Sequence, residues 1–132
     1  MSSVKNICII DDDRIYTYGA SKVIKDYMPE NNVISFESGQ AAIESMGNMR
    51  QSDQELPDVI LLDINMPKMN GWDFLQKLKP FRKSVEKEMK VFVISSYIKK
   101  HKEELYRVEW DDQVSEFIPK PVTPDTLKSL LT

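Results

Sequence analysis

The sequence predicts an α/β fold: a doubly wound five-stranded parallel sheet with helices on both faces. Two observations carry that reading. Five short apolar runs alternate with five stretches of helical patterning along the chain, and strict alternation of this kind builds a parallel sheet. Three of the runs, VKNICII, DVILLD and KVFVISS, are apolar almost throughout, as strands are when helices cover both faces. Length sets the scale. The 132 residues, 41 % of them hydrophobic, are enough for one sizeable core, so a single domain over residues 1–132 is expected.

The elements follow in chain order. VKNICII, rich in β-branched residues, reads as strand one. In RIYTYGASKVIKDYM, Ile15, Tyr18, Val23, Tyr27 and Met28 recur at roughly helical spacing, and Pro29 stops the helix. NNVISFES reads as strand two. GQAAIESMGNM reads as a helix weakened by Gly47, and the polar RQSDQELP as a loop. DVILLD is strand three and the most hydrophobic run. GWDFLQKLKPF is a helix on Trp72, Leu75 and Leu78, with Pro80 expected to end or bend it. KVFVISS is strand four, KKHKEELYRVEWD a charged helix with one narrow apolar stripe, and VSEFIPKP strand five. TPDTLKSLLT closes the chain as a helix, with Thr123 as N-cap and Pro124 as its first residue.

Composition excludes several classes. Lysine and arginine number 18 against 21 acidic residues, a net charge of −3, with no basic stripe to hold nucleic acid directly. Cys8 is the sole cysteine, so an internal disulfide is impossible; within ICII it reads as a small buried hydrophobe in a reducing compartment. MSSVKN lacks the apolar region of a signal peptide, and no run approaches the ~20 residues of a membrane span. A soluble, cytoplasmic protein without a membrane partner is expected.

In sheets of this kind the ligand site lies at the carboxyl ends of the strands. Strand one ends in Asp11, Asp12 and Asp13, and strand three in Asp63. Strand four ends in Ser95 and Ser96, and strand five in Lys120 between two prolines. Asp63 therefore faces Asp11 and Asp12 across one sheet edge. Carboxylates that close repel one another. A hard divalent cation removes the penalty, and Mg²⁺ is typically held by one or two carboxylates plus a phosphate. Lys120 adds a positive charge, and a hydroxyl at Ser95 can donate to an anionic oxygen.

The set IIDDD, LLDINMPKMNG, VISS and IPKP, in that order and at strand ends, resembles the receiver domain of bacterial two-component response regulators. The resemblance spans essentially the whole chain and implies the (βα)5 flavodoxin-like receiver fold. It implies that Asp63 is the phosphoacceptor and that Asp11 and Asp12 hold Mg²⁺. Asp12 is then the direct ligand and Asp11 the water-mediated one, and the backbone carbonyl of Asn65 completes the shell. Asp13 starts the following helix. Ser95 binds a phosphoryl oxygen and Lys120 pairs with the phosphoryl group, aimed inward by a cis peptide before Pro121. Phe117 occupies the aromatic switch position behind Ser95. It is Phe rather than the more frequent Tyr, which favours an inward ring over a large swing.

The resemblance also implies a phosphohistidine donor, on a histidine kinase or a histidine phosphotransfer protein, in a phosphorelay. The output is a downstream protein target. It would read the face made by strand four, the helix after it, strand five and the last helix, with Tyr97, Lys99, Lys100, Tyr106, Phe117 and Leu127 near it. Tyr97 and Asn65 flank the acyl phosphate and could set its lifetime. Such a protein is not an enzyme, although it assists its own phosphorylation and dephosphorylation. No G-x-x-x-x-G-K-[ST] loop occurs, so ATP is not its direct donor. Two alternatives stand beside this reading. One is a receiver fold that binds a partner without phosphorylation. The other is a Mg²⁺-dependent phosphatase of the haloacid-dehalogenase kind, which needs a second Asp where this chain has Asn65. A stand-alone receiver is expected rather than one cut from a longer regulator.

Overall fold

The computed structural model describes residues 5–49, 56–66, 69–85, 87–95, 113–120 and 122–131, and of Ser95 only the backbone. Five parallel strands form one sheet: β1 (Asn6–Ile10), β2 (Asn32–Phe36), β3 (Val59–Asp63), β4 (Lys90–Ser95) and β5 (Glu116–Pro119), in the order β2-β1-β3-β4-β5. Four described helices accompany them: α1 (Arg14–Tyr27), α2 (Gly39–Met49), α3 (Gly71–Ser84) and α4 (Pro124–Leu131). The expected charged helix before strand five lies outside the described residues, as do Ser96, Tyr97, Lys99, Lys100, Tyr106 and Pro121.

Side-chain alternation along the strands divides the core in two. Ile7, Ile9, Val59, Leu61, Phe92 and Ile94 pack on one face with Ala20 and Ile24 of α1 and Leu127 and Leu131 of α4. Cys8, Ile10, Ile60, Leu62, Val91 and Val93 pack on the other with α2 and α3. The central strand β3 is buried at every position, as its continuous apolar run demands. Edge strand β2 is mostly exposed. The other edge strand, β5, carries Pro119, whose missing N–H an edge tolerates. Cys8 is fully buried, and burial pushes its thiol up to about 12. No helix among the described residues is long and apolar enough to cross a membrane.

Helix boundaries follow local chemistry. Asp13 caps α1, its Oδ1 accepting from the backbone N–H of Ile15 at 3.0 Å and Tyr16 at 3.1 Å. Thr123 caps α4 through a 3.1 Å bond from the Thr126 N–H, and Pro124 is the first helical residue. Asn70 and Asp73 close a reciprocal capping box on α3.

Two details differ from the sequence reading. In α1, Ile15, Tyr18 and Tyr27 stand 86 %, 73 % and 57 % exposed. The row that meets the sheet is Ala20, Ile24 and Met28, spaced four apart, with Tyr16 and Val23 half-buried beside it. A small Ala20 marks the inner face, where side chains crowd the strands, and the larger apolar residues lie off it. In α3, of the two expectations for Pro80, an end or a bend, the end is not realised: the helix runs on to Ser84. A proline inside a helix costs about 3 kcal/mol. Two features of the final turn offset that cost: Phe81 is buried in the core, and the Arg82 guanidinium donates to the carbonyls of Gln113, at 2.8 Å, and Met89.

Gly47, expected to weaken the helix, lies within α2. It is exposed, and a Cβ built there meets nothing within 4 Å. Gly47→Ala is expected to stabilise the protein by about 0.5–1 kcal/mol, read as a raised melting temperature.

Candidate functional site

The strand order reverses direction at β1, so β1 and β3 flank the point where an open α/β sheet leaves a crevice. Ile10 pairs with Leu62, and one residue further along that register Asp11 stands beside Asp63. Both carboxylates are buried, Asp11 at 3 % and Asp63 at 4 % exposure, whereas Asp12 is exposed. One carboxylate oxygen from each of Asp11, Asp12 and Asp63 lies within 4.8 Å of the others. This is a compact set of hard oxygen donors, without a sulfur or imidazole, and suits Mg²⁺.

Both oxygens of Asp11 are held. Oδ1 accepts from the Asp13 N–H at 2.9 Å, and Oδ2 accepts from Lys120 Nζ at 2.9 Å. Asp63 Oδ1 accepts from the Asn65 N–H at 3.1 Å, and Oδ2 lies 3.9 Å from Lys120 Nζ. Lys120 thus sits between the two buried carboxylates. It follows Pro119 at the end of β5, which pairs with Ser95 at the end of β4, so both strand ends open onto the same edge. The backbone of Ser95 is therefore at the expected place, and its hydroxyl lies outside the described atoms.

Burial pushes the Asp63 carboxyl above the usual carboxylate range. The charges of Asp11 and Asp12 push the same way, and the Asn65 N–H and Lys120 oppose. A carboxyl raised in the fold binds its proton more tightly there than in the unfolded chain. Its effect on stability is therefore most favourable below the unfolded value of about 4, and declines as pH rises through the folded value. Asp63→Asn removes that decline. The variant is expected to melt above the wild type at neutral pH, by about 4 °C for ~1 kcal/mol, with the difference closing as pH falls. Thermal melts across pH check this; a difference that does not change with pH would contradict it.

The turn after Asp63 explains why Gly71 is needed. The Gly71 N–H donates to the Ile64 carbonyl at 3.1 Å, closing the loop from β3 onto the start of α3. A Cβ at Gly71 would stand 2.6 Å from Ile64 Cα and 3.0 Å from the Asp63 carbonyl oxygen. Only a residue without Cβ lets these backbones approach so closely.

Phe117 is buried and faces the core shared with α2 and α3, its ring centroid 6.1 Å from that of Trp72. Tyr16, which the sequence reading left unassigned, also belongs to the site. Lys120 Nζ lies over its ring, 4.5 Å from the centroid. Burial, with Asp11 and Asp63 nearby, pushes the Tyr16 hydroxyl up to about 12, so the ring stays neutral. A signal for this existed in the sequence. Tyr16 is the third residue of a helix capped by Asp13, and side chains of a first turn lean back over the preceding strand end.

The sheet is flavodoxin-like, with an acidic cluster at its switch point and a lysine reaching back from the last strand. The family model of the response regulator receiver domain matches residues 7–132, and the chain belongs to that family. A two-component response regulator from Cytophaga hutchinsonii superposes with a TM-score of 0.83 at 26 % identity, over 98 % of this chain and 96 % of that one. A Vibrio cholerae chemotaxis protein shares the fold, with a TM-score of 0.76 at 20 % identity over 98 % and 97 % of the two chains. Among curated proteins, a protein-glutamate methylesterase/protein-glutamine glutaminase of Agrobacterium fabrum is 36 % identical over 98 residues, which are 73 % of this chain and 24 % of that protein. The nitrate/nitrite response regulator protein NarL of Escherichia coli K12 is 35 % identical over 92 residues, 69 % of this chain and 38 % of that protein. The chain thus matches only about a quarter to two fifths of the length of these relatives.

Proposed function

We propose that this domain accepts a phosphoryl group on Asp63 from a phosphohistidine on a histidine kinase or histidine phosphotransfer protein, and passes the signal to a protein target. The observation that carries this reading is the position of Asp63. It is buried at the end of β3, within 4.8 Å of the Asp11 and Asp12 carboxylates and 3.9 Å from Lys120 Nζ. A carboxylate kept so close to other carboxylates is costly to the fold, and phosphoryl transfer gives the arrangement a use.

Asp11, Asp12, Asp63 and the Asn65 carbonyl would hold Mg²⁺, which supplies positive charge for the phosphoryl oxygens. The protein's own groups do the rest. A carboxylate oxygen of Asp63 forms a bond to phosphorus as the donor's N–P bond breaks, leaving an acyl phosphate on the protein and a neutral imidazole on the donor once it takes up a proton. Lys120 exchanges its contact with Asp63 for one with the transferred phosphoryl group. The Ser95 hydroxyl donates to a second phosphoryl oxygen, and Phe117 packs inward behind it. Little covalent chemistry is asked of the protein beyond the nucleophile; positioning and charge stabilisation supply the rate. The domain has no further catalytic role, works in the cytoplasm, and binds neither nucleic acid nor membrane directly. Residues 1–132 form one receiver unit. Its output face comprises β4, β5 and α4.

Intact mass after incubation with acetyl phosphate tests the reading. One added phosphoryl group is expected with Mg²⁺ and none without it. Absence of an adduct, together with failure to bind beryllofluoride, would leave a receiver fold used only for binding.

A further inference from the structure

The contact between Tyr16 and Lys120 bears on how the lysine is held. A lysine ammonium is a compact charge on a flexible four-carbon stem, and its direction is set by what surrounds it. Among the described residues it has three neighbours. Asp11 Oδ2 is at 2.9 Å and Asp63 Oδ2 at 3.9 Å, and the Tyr16 ring centroid is at 4.5 Å. The two carboxylates are the groups whose charge balance changes when a phosphoryl group arrives. The ring does not change, and it attracts the ammonium through its electron-rich face without occupying a hydrogen-bond position. It therefore keeps the ammonium in place while the carboxylate contacts are exchanged. The position draws on the ring rather than the hydroxyl: Tyr16 Oη is buried without a hydrogen-bond partner among the described residues.

We propose that Tyr16 is a positioning residue for phosphoryl transfer, its ring face holding the Lys120 ammonium between Asp11 and Asp63 so that it meets the phosphoryl group formed on Asp63. This rests on the acceptor role proposed above for Asp63. The ring acts through Lys120 and does not itself touch the transferred group.

The experiment compares wild type with Tyr16→Phe and Tyr16→Leu, and with Tyr16→Met should the leucine variant fail to fold. Phosphorylation by acetyl phosphate with Mg²⁺ gives the rate. The proton shifts of the Lys120 ε-methylene give the ring contact independently, because a methylene above an aromatic face resonates upfield. Wild type and Tyr16→Phe should show the upfield shift and rates within about twofold of each other. Tyr16→Leu should lose the shift and be slowed by about tenfold, the size expected for loss of a partly desolvated cation–π contact. A rate in Tyr16→Leu equal to wild type, or a rate in Tyr16→Phe as slow as in Tyr16→Leu, would overturn the role. So would an unshifted methylene in wild-type protein that still takes up phosphate. No phosphate uptake by wild type would overturn the acceptor reading itself, and the role of Tyr16 with it.

Discussion

Lys120→Met lowers stability at neutral pH by about 3 kcal/mol on this account, the low end of what breaking a buried ion pair costs. Lys120 is the cation within reach of both buried carboxylates among the described residues, at 2.9 Å from Asp11 and 3.9 Å from Asp63. Its side chain is 17 % exposed and those of Asp11 and Asp63 are 2 % and 5 % exposed, so solvent screens the group poorly. Methionine keeps the length and most of the packing while removing the charge. The loss then has a distinctive pH dependence. Without Lys120, the influence opposing the rise of the Asp63 carboxyl is weakened, and its folded pKa climbs further. A carboxyl raised in the fold costs nothing below its unfolded value and costs most above its folded value. The deficit of Lys120→Met should therefore be large at pH 7 and shrink towards about pH 4. Adding Asp63→Asn to the variant, or saturating Mg²⁺, should recover part of it. Urea unfolding at the two pH values checks this. An equal deficit at both would mean that packing, not charge, is what the lysine provides.

Gly71→Ala should be nearly as damaging, at about 2–3 kcal/mol. The new methyl would meet Ile64 Cα and Cγ2, both at 2.6 Å, and backbone atoms cannot rotate away. The turn would have to open, breaking the 3.1 Å bond from Gly71 N–H to the Ile64 carbonyl and disturbing Asn65, whose N–H holds Asp63. Phosphorylation should slow as stability falls. Gly39→Ala provides the contrast. Its nearest obstacle is the Met69 sulfur at 2.9 Å, the far end of a flexible side chain, so the cost should be smaller. Urea unfolding of the two variants side by side distinguishes backbone from side-chain crowding.

The sheet was legible because β3 and β1 need no periodicity to be recognised; continuous burial leaves a continuous apolar run. The order of the strands was not read from the sequence, since alternation alone does not say which strands are neighbours. Asp11, Asp63 and Lys120 stood out because charges at the ends of apolar strands are costly and demand partners. Three features were not legible, each for a physical reason. The inner face of α1 is marked by Ala20, which contributes little to an apolar pattern, while Ile15 and Tyr18 contribute much and face outward. Pro80 reads locally as an end or a bend, and the contacts of Phe81 and Arg82 that carry α3 past it are made at long range. Tyr16 was legible only as far as its lean back over the strand end; that it meets Lys120, more than a hundred positions away in the chain, was not.

The most direct test of the central claim is to locate the phosphoryl group. The protein is incubated with acetyl phosphate and Mg²⁺, reduced with borohydride, digested and sequenced by tandem mass spectrometry. Reduction converts an aspartyl phosphate to homoserine and leaves free aspartate unchanged. Homoserine at position 63, with Asp11 and Asp12 intact, is the predicted result. Homoserine at Asp12 or at another carboxylate, with Asp63 unmodified, would contradict the assignment of Asp63 as the acceptor.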